Sequence, residues 1–268
     1  MGICKLCLKD KQLVESHLIP KAIYENVKKF DEPDNRDIII AESENKRAFY
    51  SDKQIKQKAL CRGCEDRFNK GGEDLILREY LRSPNKFILL EKLNSIEEPI
   101  LFKGEEWFKP IDIIGLQPEK YLYFAASIFW RASAINWKDI SPFSPNALGK
   151  RYSELFRSYL LGKSNFPKNA CLTVHVDNPK YLRSIAMLPV VSKNKNFYSH
   201  IFIIPGIKFT LLVGKALNIS DALYLDGKIA FIRTDFSDAQ KNSEYSLLAN
   251  DLLHEVQPKG RLTKLFNR

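Results

Sequence analysis

Two pairs of cysteines near the start of the chain have the spacing of metal ligands. Cys4 and Cys7 are separated by two residues, and so are Cys61 and Cys64. A tight turn lets both sulfurs of such a pair face one ion, and two pairs supply the four thiolates of a closed tetrahedral zinc site. We therefore predict that these four side chains hold one structural Zn²⁺. The alternative is a redox dithiol. The fifth cysteine, Cys171, lies in an apolar run and is predicted to be a buried, unreactive thiol.

A histidine motif lies between the two cysteine pairs, and the combination resembles a known nuclease family. The order is Cys4-x-x-Cys7, then His17 followed by Leu-Ile-Pro, then Cys61-x-x-Cys64 opening a predicted helix. This pattern resembles the zinc-containing HNH endonucleases, which have the ββα-metal or treble-clef fold. The Ser-His-x-Ile-Pro motif and the run Leu-Cys-Arg-Gly-Cys-Glu-Asp-Arg-Phe resemble an uncharacterised prokaryotic branch of that family. The resemblance covers about residues 1–82.

The resemblance implies a metal-dependent endonuclease that hydrolyses phosphodiester bonds of DNA. His17 would be the general base, because a neutral imidazole can deprotonate the attacking water. Mg²⁺ or Mn²⁺, held by oxygen ligands apart from the zinc, would neutralise charge on the phosphate and the leaving oxygen. Such nucleases also imply a role in defence against phages or mobile elements. The alternative for His17 is a histidine that packs or hydrogen-bonds beside the zinc cysteines.

The oxygen ligands for this second ion depart from the family's pattern. Ser16 replaces the acidic residue that usually precedes the histidine, and Gln57 is nearest to the place of the middle Asn. Glu65, Asn69 and Glu73 recur at intervals of four, which predicts one shared helix face. We expect Glu65 to be the main ligand of the catalytic ion, with Glu73, Asn69 and Ser16 as further candidates. The alternative is a solvated helix face.

The charge of the chain predicts a polyanionic partner. The net charge is +10, from 42 basic and 32 acidic residues. Residues 1–82 hold 17 basic and 15 acidic residues, a net of +2, so residues 83–268 carry the remaining +8. Nucleic acid fits this excess, and the resemblance favours DNA, although the residues do not separate DNA from RNA. Two alternatives stay open: a basic surface without a polyanionic partner, and a non-catalytic zinc module that binds nucleic acid or a protein.

The predicted fold class is α+β, with a boundary near Ser83-Pro84-Asn85. Residues 1–82 form the treble-clef zinc module, and residues 83–268 form a helical segment followed by an antiparallel β-rich part, through which homo-oligomers could form. A glycine pair, Gly71-Gly72, marks a kink or a close approach of another backbone. Hydrophobic periodicity predicts helices over 21–30, 64–81, 117–137, 146–161 and 239–255, and strands over 13–18, 38–40, 48–50, 171–176, 184–191, 198–204, 208–213 and 229–234.

The remaining polar residues of the apolar segments are interpreted as structural. Trp130 is predicted to pack in the core with Arg131 at the core's edge. His175, His200 and His254 have no ligand spacing and are interpreted as structural or surface residues. No apolar run approaches the roughly 20 residues that cross a bilayer. The first residues also lack the apolar stretch of a signal peptide, so we expect a cytoplasmic chain with no membrane partner.

Overall fold

The computed structural model describes residues 1–30, 38–42, 46–51, 53–138, 146–178, 180–214, 217, 224, 227–236 and 257–263. This part of the chain is α+β, as predicted, with a large antiparallel-rich sheet. None of its helices is both long and apolar enough to cross a membrane. The helix predicted over 239–255, together with His254, lies outside the described residues.

Short hairpins and an interrupted helix make up the first part of the chain. The elements are β1 (Gly2–Ile3), β2 (Asp10–Lys11), β3 (Leu13–His17), α1 (Lys21–Phe30), β4 (Ile38–Glu42), β5 (Arg47–Ser51), β6 (Lys56–Cys61), α2 (Arg62–Phe68), a π-helical turn (Asn69–Glu73) and α3 (Asp74–Glu79). β1 pairs with β2, β3 with β6 and β4 with β5, each pair antiparallel. Because β6 runs directly into α2, β3, β6 and α2 form a ββα unit.

A seven-stranded sheet dominates the rest of the described chain. The elements are α4 (Ile88–Asn94), β7 (Ile100–Phe102), β8 (Glu105–Phe108), α5 (Pro118–Ala134), α6 (Gly149–Leu160), β9 (Ala170–Asp177), β10 (Met187–Lys193), β11 (Phe197–Ile204), β12 (Ile207–Gly214), β13 (Ile229–Thr234) and β14 (Gln257–Pro258). The sheet order is β10-β11-β12-β9-β13-β8-β7, and β9 with β13 is its parallel pair. Strands β7 and β8 lie between α4 and α5 in sequence and were not predicted.

Most predicted elements are present, with shifted ends. The helix over 21–30 and the strand over 229–234 are confirmed at both ends. The helix predicted from residue 146 begins at Gly149, because Asn146 has a left-handed backbone with a φ of 68°, which a helix interior does not allow. The strand predicted over 184–191 is Met187–Lys193.

The helix α5 lies between the ββα unit and the large sheet. On the sheet side, the Phe129 ring packs against Phe202 with 4.9 Å between centroids. On the other side, Trp130 packs against Phe68 of α2 with centroids 6.3 Å apart. A helix that is apolar all round is stable only when covered on all sides. One contiguous core accordingly includes side chains from both predicted domains, and the division at residue 82 stays a prediction.

The glycine pair lies where α5 crosses the interrupted helix, which confirms the predicted close approach. A Cβ on Gly72 would lie 2.5 Å from the carbonyl oxygen of Lys120 and 2.8 Å from Cβ of Phe124. A Cβ on Gly71 would lie 2.2 Å from the Tyr123 ring. The helix predicted over 64–81 is also not continuous, since the π-helical turn Asn69–Glu73 interrupts it at this crossing.

Replacing Gly72 should therefore destabilise the protein in spite of alanine's better helix propensity. We expect Gly72→Ala to lower the free energy of unfolding by about 1–3 kcal/mol, because backbone atoms of α5 must move to admit the methyl group. Gly63→Ala is the matched control in α2, where a Cβ meets nothing within 4 Å, and it should be neutral or stabilising by up to about 1 kcal/mol. Urea denaturation measures the stability of both variants. Equal unfolding midpoints for Gly72→Ala and Gly63→Ala would contradict the close approach of α5 to Gly72.

Candidate functional site

The four predicted zinc cysteines lie together. Their ligand atoms are all within 4.8 Å of one another, and the Sγ atoms of Cys7 and Cys61 are 3.9 Å apart. A tetrahedral zinc site with Zn–S bonds of about 2.3 Å has sulfurs about 3.8 Å apart. All four thiols are free rather than joined in disulfides. The cluster of Cys4, Cys7, Cys61 and Cys64 could therefore hold a metal ion such as zinc.

Backbone hydrogen bonds bring the two distant pairs to one place. Cys4 and Cys7 lie on the turn between β1 and β2, which closes through the Leu8 N–H and the Cys4 carbonyl at 2.9 Å. The N–H of Lys5 then donates to the Ala59 carbonyl on β6 at 3.1 Å. The Cys61 N–H donates to the Cys4 sulfur at 3.4 Å. These contacts attach the first pair to the strand that carries the second.

The crowding of the thiols favours a cation among them. Burial, together with the nearby thiols Cys61 and Cys4, raises the pKa of Cys64. Burial also raises the pKa of Cys4, against hydrogen bonds from the backbone. A divalent cation supplies the opposite charge that stabilises such thiolates, so the donor set fits zinc.

Zinc analysis of a cysteine variant gives a direct test of the cluster. We expect one zinc per chain by elemental analysis, and loss of that zinc in Cys64→Ala. Structural zinc contributes about 10–16 kcal/mol in small zinc domains, so the variant should also lose its cooperative thermal transition. Cys171→Ala is the control, since Cys171 is a buried thiol of β9, as predicted. Full zinc retention in Cys64→Ala would contradict the assignment.

The ring of His17 is held through one nitrogen. His17 ends β3 and is half-buried, and its Nε2 lies 2.9 Å from Oε1 of Gln54. Because an amide oxygen only accepts, this contact fits the neutral tautomer that is protonated on Nε2, in which Nδ1 is the acceptor. Burial lowers the pKa of His17, with the Gln54 hydrogen bond acting against it. The neutral ring therefore predominates near pH 7, and that is the form a general base requires.

The carboxyl group of Glu65 lies near the strand that carries His17. Its Oε1 is buried and has no hydrogen-bond partner among the described residues. Burial raises the pKa of Glu65, while the charge of Arg131 and a hydrogen bond from Ser16 lower it. Ser16 is fully buried, and its hydroxyl also lies 3.4 Å from the Val14 carbonyl, the other acceptor within reach of its single proton. The fold thus brings Ser16 and Glu65 close together, while their role as ligands of a catalytic ion stays a prediction.

The other two candidate ligands occupy different environments. Glu73 is buried and forms an ion pair with Arg131, whereas Asn69 is exposed. The π-helical turn Asn69–Glu73 uses i→i+5 hydrogen bonds and so breaks the 3.6-residue period on which the shared face was predicted. Among the described residues, the four cysteines are the one group of three or more His, Cys, Asp or Glu side chains that could hold a metal.

Sequence reasoning missed two residues that contact His17. Gln54 carries no pattern that distinguishes it from other surface glutamines. Arg131 was expected at the edge of the core, and that interpretation is wrong, because its side chain is 1% exposed and donates to the His17 carbonyl at 2.8 Å. One signal was available: Arg131 is the one charged residue in the run 121–137, and a buried charge needs partners.

Gln57 and the other two described histidines have structural roles. The Gln57 amide donates to the Asn136 carbonyl at 2.9 Å and accepts from the Lys138 N–H at 3.3 Å, which joins β6 to the chain after α5. His175 and His200 lie on β9 and β11, and burial lowers the pKa of both. The interpretation of these histidines as structural agrees with this burial.

Comparison with known proteins finds no matching family model, no matching curated protein and no matching solved structure. The HNH resemblance therefore rests on the residue pattern alone.

Two substitutions beside His17 should move its pKa in opposite directions. Gln54→Leu should lower the pKa further, because the amide oxygen stabilises the protonated ring. Lys56→Gln should raise it, because the Lys56 ammonium repels that same cation. NMR titration of the histidine ring protons measures both shifts. Shifts of the same sign would contradict the geometry around the ring.

Proposed function

We propose that the protein is a metal-dependent, HNH-type endonuclease that cleaves phosphodiester bonds of DNA. The observation that supports this is the state of His17: a neutral, half-buried imidazole with Nε2 bound to Gln54 and Nδ1 left as the acceptor. Nδ1 would take the proton of the attacking water. The Glu65 carboxyl group, with a buried oxygen that has no hydrogen-bond partner, lies on α2, which directly follows β6, the strand paired with β3.

The zinc would have a structural task. Four thiolates close its coordination shell and leave no position for water or substrate. The ββα unit of β3, β6 and α2 would correspond to the ββα-metal fold of the resembling family, with Cys61 and Cys64 at the junction of strand and helix. The zinc would hold this junction, so that the strand ending in His17 and the helix carrying Glu65 keep their relative position.

A catalytic cation would have few protein ligands. Mg²⁺ usually keeps several waters and is held by one or two carboxylates together with substrate phosphates. Glu65 offers one such carboxylate, and Ser16 offers a hydroxyl close to it. Glu73 is paired with Arg131 and is not assigned as a ligand. The cation, when bound, would neutralise charge on the phosphate and on the leaving oxygen.

A second function has one observation in its favour. Glu73 is paired with Arg131, and among the described residues no group of three or more His, Cys, Asp or Glu side chains besides the cysteines could hold a second ion. A zinc module without catalysis, which binds nucleic acid through its net positive charge, would need no such cluster. Its affinity would fall steeply with salt, because bound cationic side chains release counterions from the phosphates. A protein partner would bind without that salt dependence.

Cleavage of supercoiled plasmid separates these two functions. We expect nicking that requires added Mg²⁺ or Mn²⁺, and a loss of about 10²–10⁴-fold in rate for His17→Ala. The zinc content of this variant should stay the same, which excludes loss of fold. Glu65→Gln should lower the rate and raise the metal concentration required, since it removes the carboxylate. Asp66→Asn, the exposed neighbour in α2, is the matched control and should cleave like the wild type.

Each outcome assigns the function. Equal nicking by the wild type and by folded His17→Ala would reject the endonuclease. Binding of DNA without cleavage by the wild type, in any divalent metal, would favour the non-catalytic zinc module. Binding of RNA in preference to DNA, with cleavage that needs His17, would keep the chemistry and change the substrate.

A further inference from the structure

The side chain of Arg131 comes from α5, outside the module predicted over residues 1–82, yet it is buried beside His17. Its Nη1 donates to the His17 carbonyl at 2.8 Å, and its Nη2 donates to Glu73. Its Nε donates to the Ser127 carbonyl at 3.3 Å, and the guanidinium lies 5.0 Å from the centre of the Phe68 ring. All three nitrogens of the group therefore have partners.

Two acceptors of the Arg131 guanidinium are distant from it in sequence, and they lie on or directly beside the elements that carry His17 and Glu65. The His17 carbonyl ends strand β3, and the Glu73 carboxylate ends the π-helical turn that follows α2. A guanidinium is planar, and its donors form a fixed fork. The planar guanidinium of Arg131 therefore links the strand end that carries His17 to the helical segment that begins with α2 and Glu65.

The position of Arg131 is itself fixed by the rest of the fold. One turn away, Ser127 donates its hydroxyl to the Phe124 carbonyl at 2.8 Å, and the Trp137 indole donates to the Arg131 carbonyl at 3.1 Å. Phe124 packs against Phe209 of β12, with ring centroids 5.6 Å apart. The large sheet thus supports the helix that supplies the guanidinium.

We infer that Arg131 is a positioning residue for His17, so that the reacting unit includes α5 and is not confined to residues 1–82. This inference rests on the proposed endonuclease function. Arg131 does not touch the reacting atoms: it acts by holding the backbone of His17 in register with the helix of Glu65. A displacement of about 1 Å between reacting groups can lower a rate by about 10²-fold. Loss of the guanidinium should therefore lower turnover far more than substrate binding.

The experiment removes the cation without leaving a buried charge unpaired. Arg131→Met/Glu73→Leu replaces the ion pair by apolar side chains of similar volume, a change that proteins often tolerate. Arg233→Met/Glu106→Leu is the matched control, since it removes a partly buried pair between β13 and β8. Arg131→Lys retains the charge but not the fork of donors. Plasmid nicking, zinc content and thermal melting are measured for each variant.

We expect kcat of Arg131→Met/Glu73→Leu to fall about 100-fold, with KM for DNA and zinc content near wild type. Arg131→Lys should recover part of that loss, because one ammonium can reach the His17 carbonyl. The control pair should cleave like the wild type. Turnover near wild type in folded Arg131→Met/Glu73→Leu would overturn the inference. An equal fall of kcat in the control pair would also overturn the inference, because the loss of any ion pair would then be enough to lower turnover.

A second measurement does not depend on cleavage, so it tests the positioning role of Arg131 separately from the endonuclease function. The NMR signal of the His17 ring, assigned by its loss in His17→Ala, should shift in Arg131→Met/Glu73→Leu and not in the control pair. An unchanged signal overturns the positioning role, whether or not the wild type cleaves DNA. A shifted signal with an inactive wild type supports the positioning role and rejects the endonuclease.

Discussion

The buried guanidinium of Arg131 is the interaction on which the arrangement around His17 depends. A cation with 1% of its surface exposed is stable only if its lost hydration is replaced, and here a carboxylate, two carbonyl groups and an aromatic ring replace it. Removing one partner of a buried ion pair costs about 3–5 kcal/mol, because the other charge is left uncompensated. The strand end, the π-helical turn and α5 are therefore held together by one charge and its partners.

The helix α5 acts as a common support for the two parts of the chain. Its aromatic side chains pack on the large sheet, and its backbone passes so close to the π-helical turn that only glycine fits at residue 72. The hydrophobic core is continuous across this helix. The His17 region of the ββα unit is consequently built against an element that lies far away in sequence, since Arg131 comes 114 positions after His17.

Burial favours the uncharged form of side chains both in the cysteine cluster and around His17. In the cluster, burial raises the pKa of Cys64 and Cys4, and a metal ion would offset the cost of the thiolates. In the histidine site, burial lowers the pKa of His17 and raises that of Glu65, so it favours the uncharged form of both. A neutral imidazole suits proton transfer. A cation bound beside Glu65 would favour the ionised form of its carboxyl group.

The residue pattern by itself determined that the four cysteines could share one metal ion, because ligand spacing is a local property of the chain. The roles of Ser16, His17 and Glu65 stay predictions from the resemblance. The residue pattern also indicated the apolar helix and the β-rich part, since periodicity is local as well. Only the tertiary structure decided that Arg131 and Gln54 hold His17, that Glu73 is paired and that Asn69 is exposed. The last two depend on a π-helical turn where α5 crosses Gly71 and Gly72. Contacts between residues distant in sequence set those positions, and no short-range pattern encodes them.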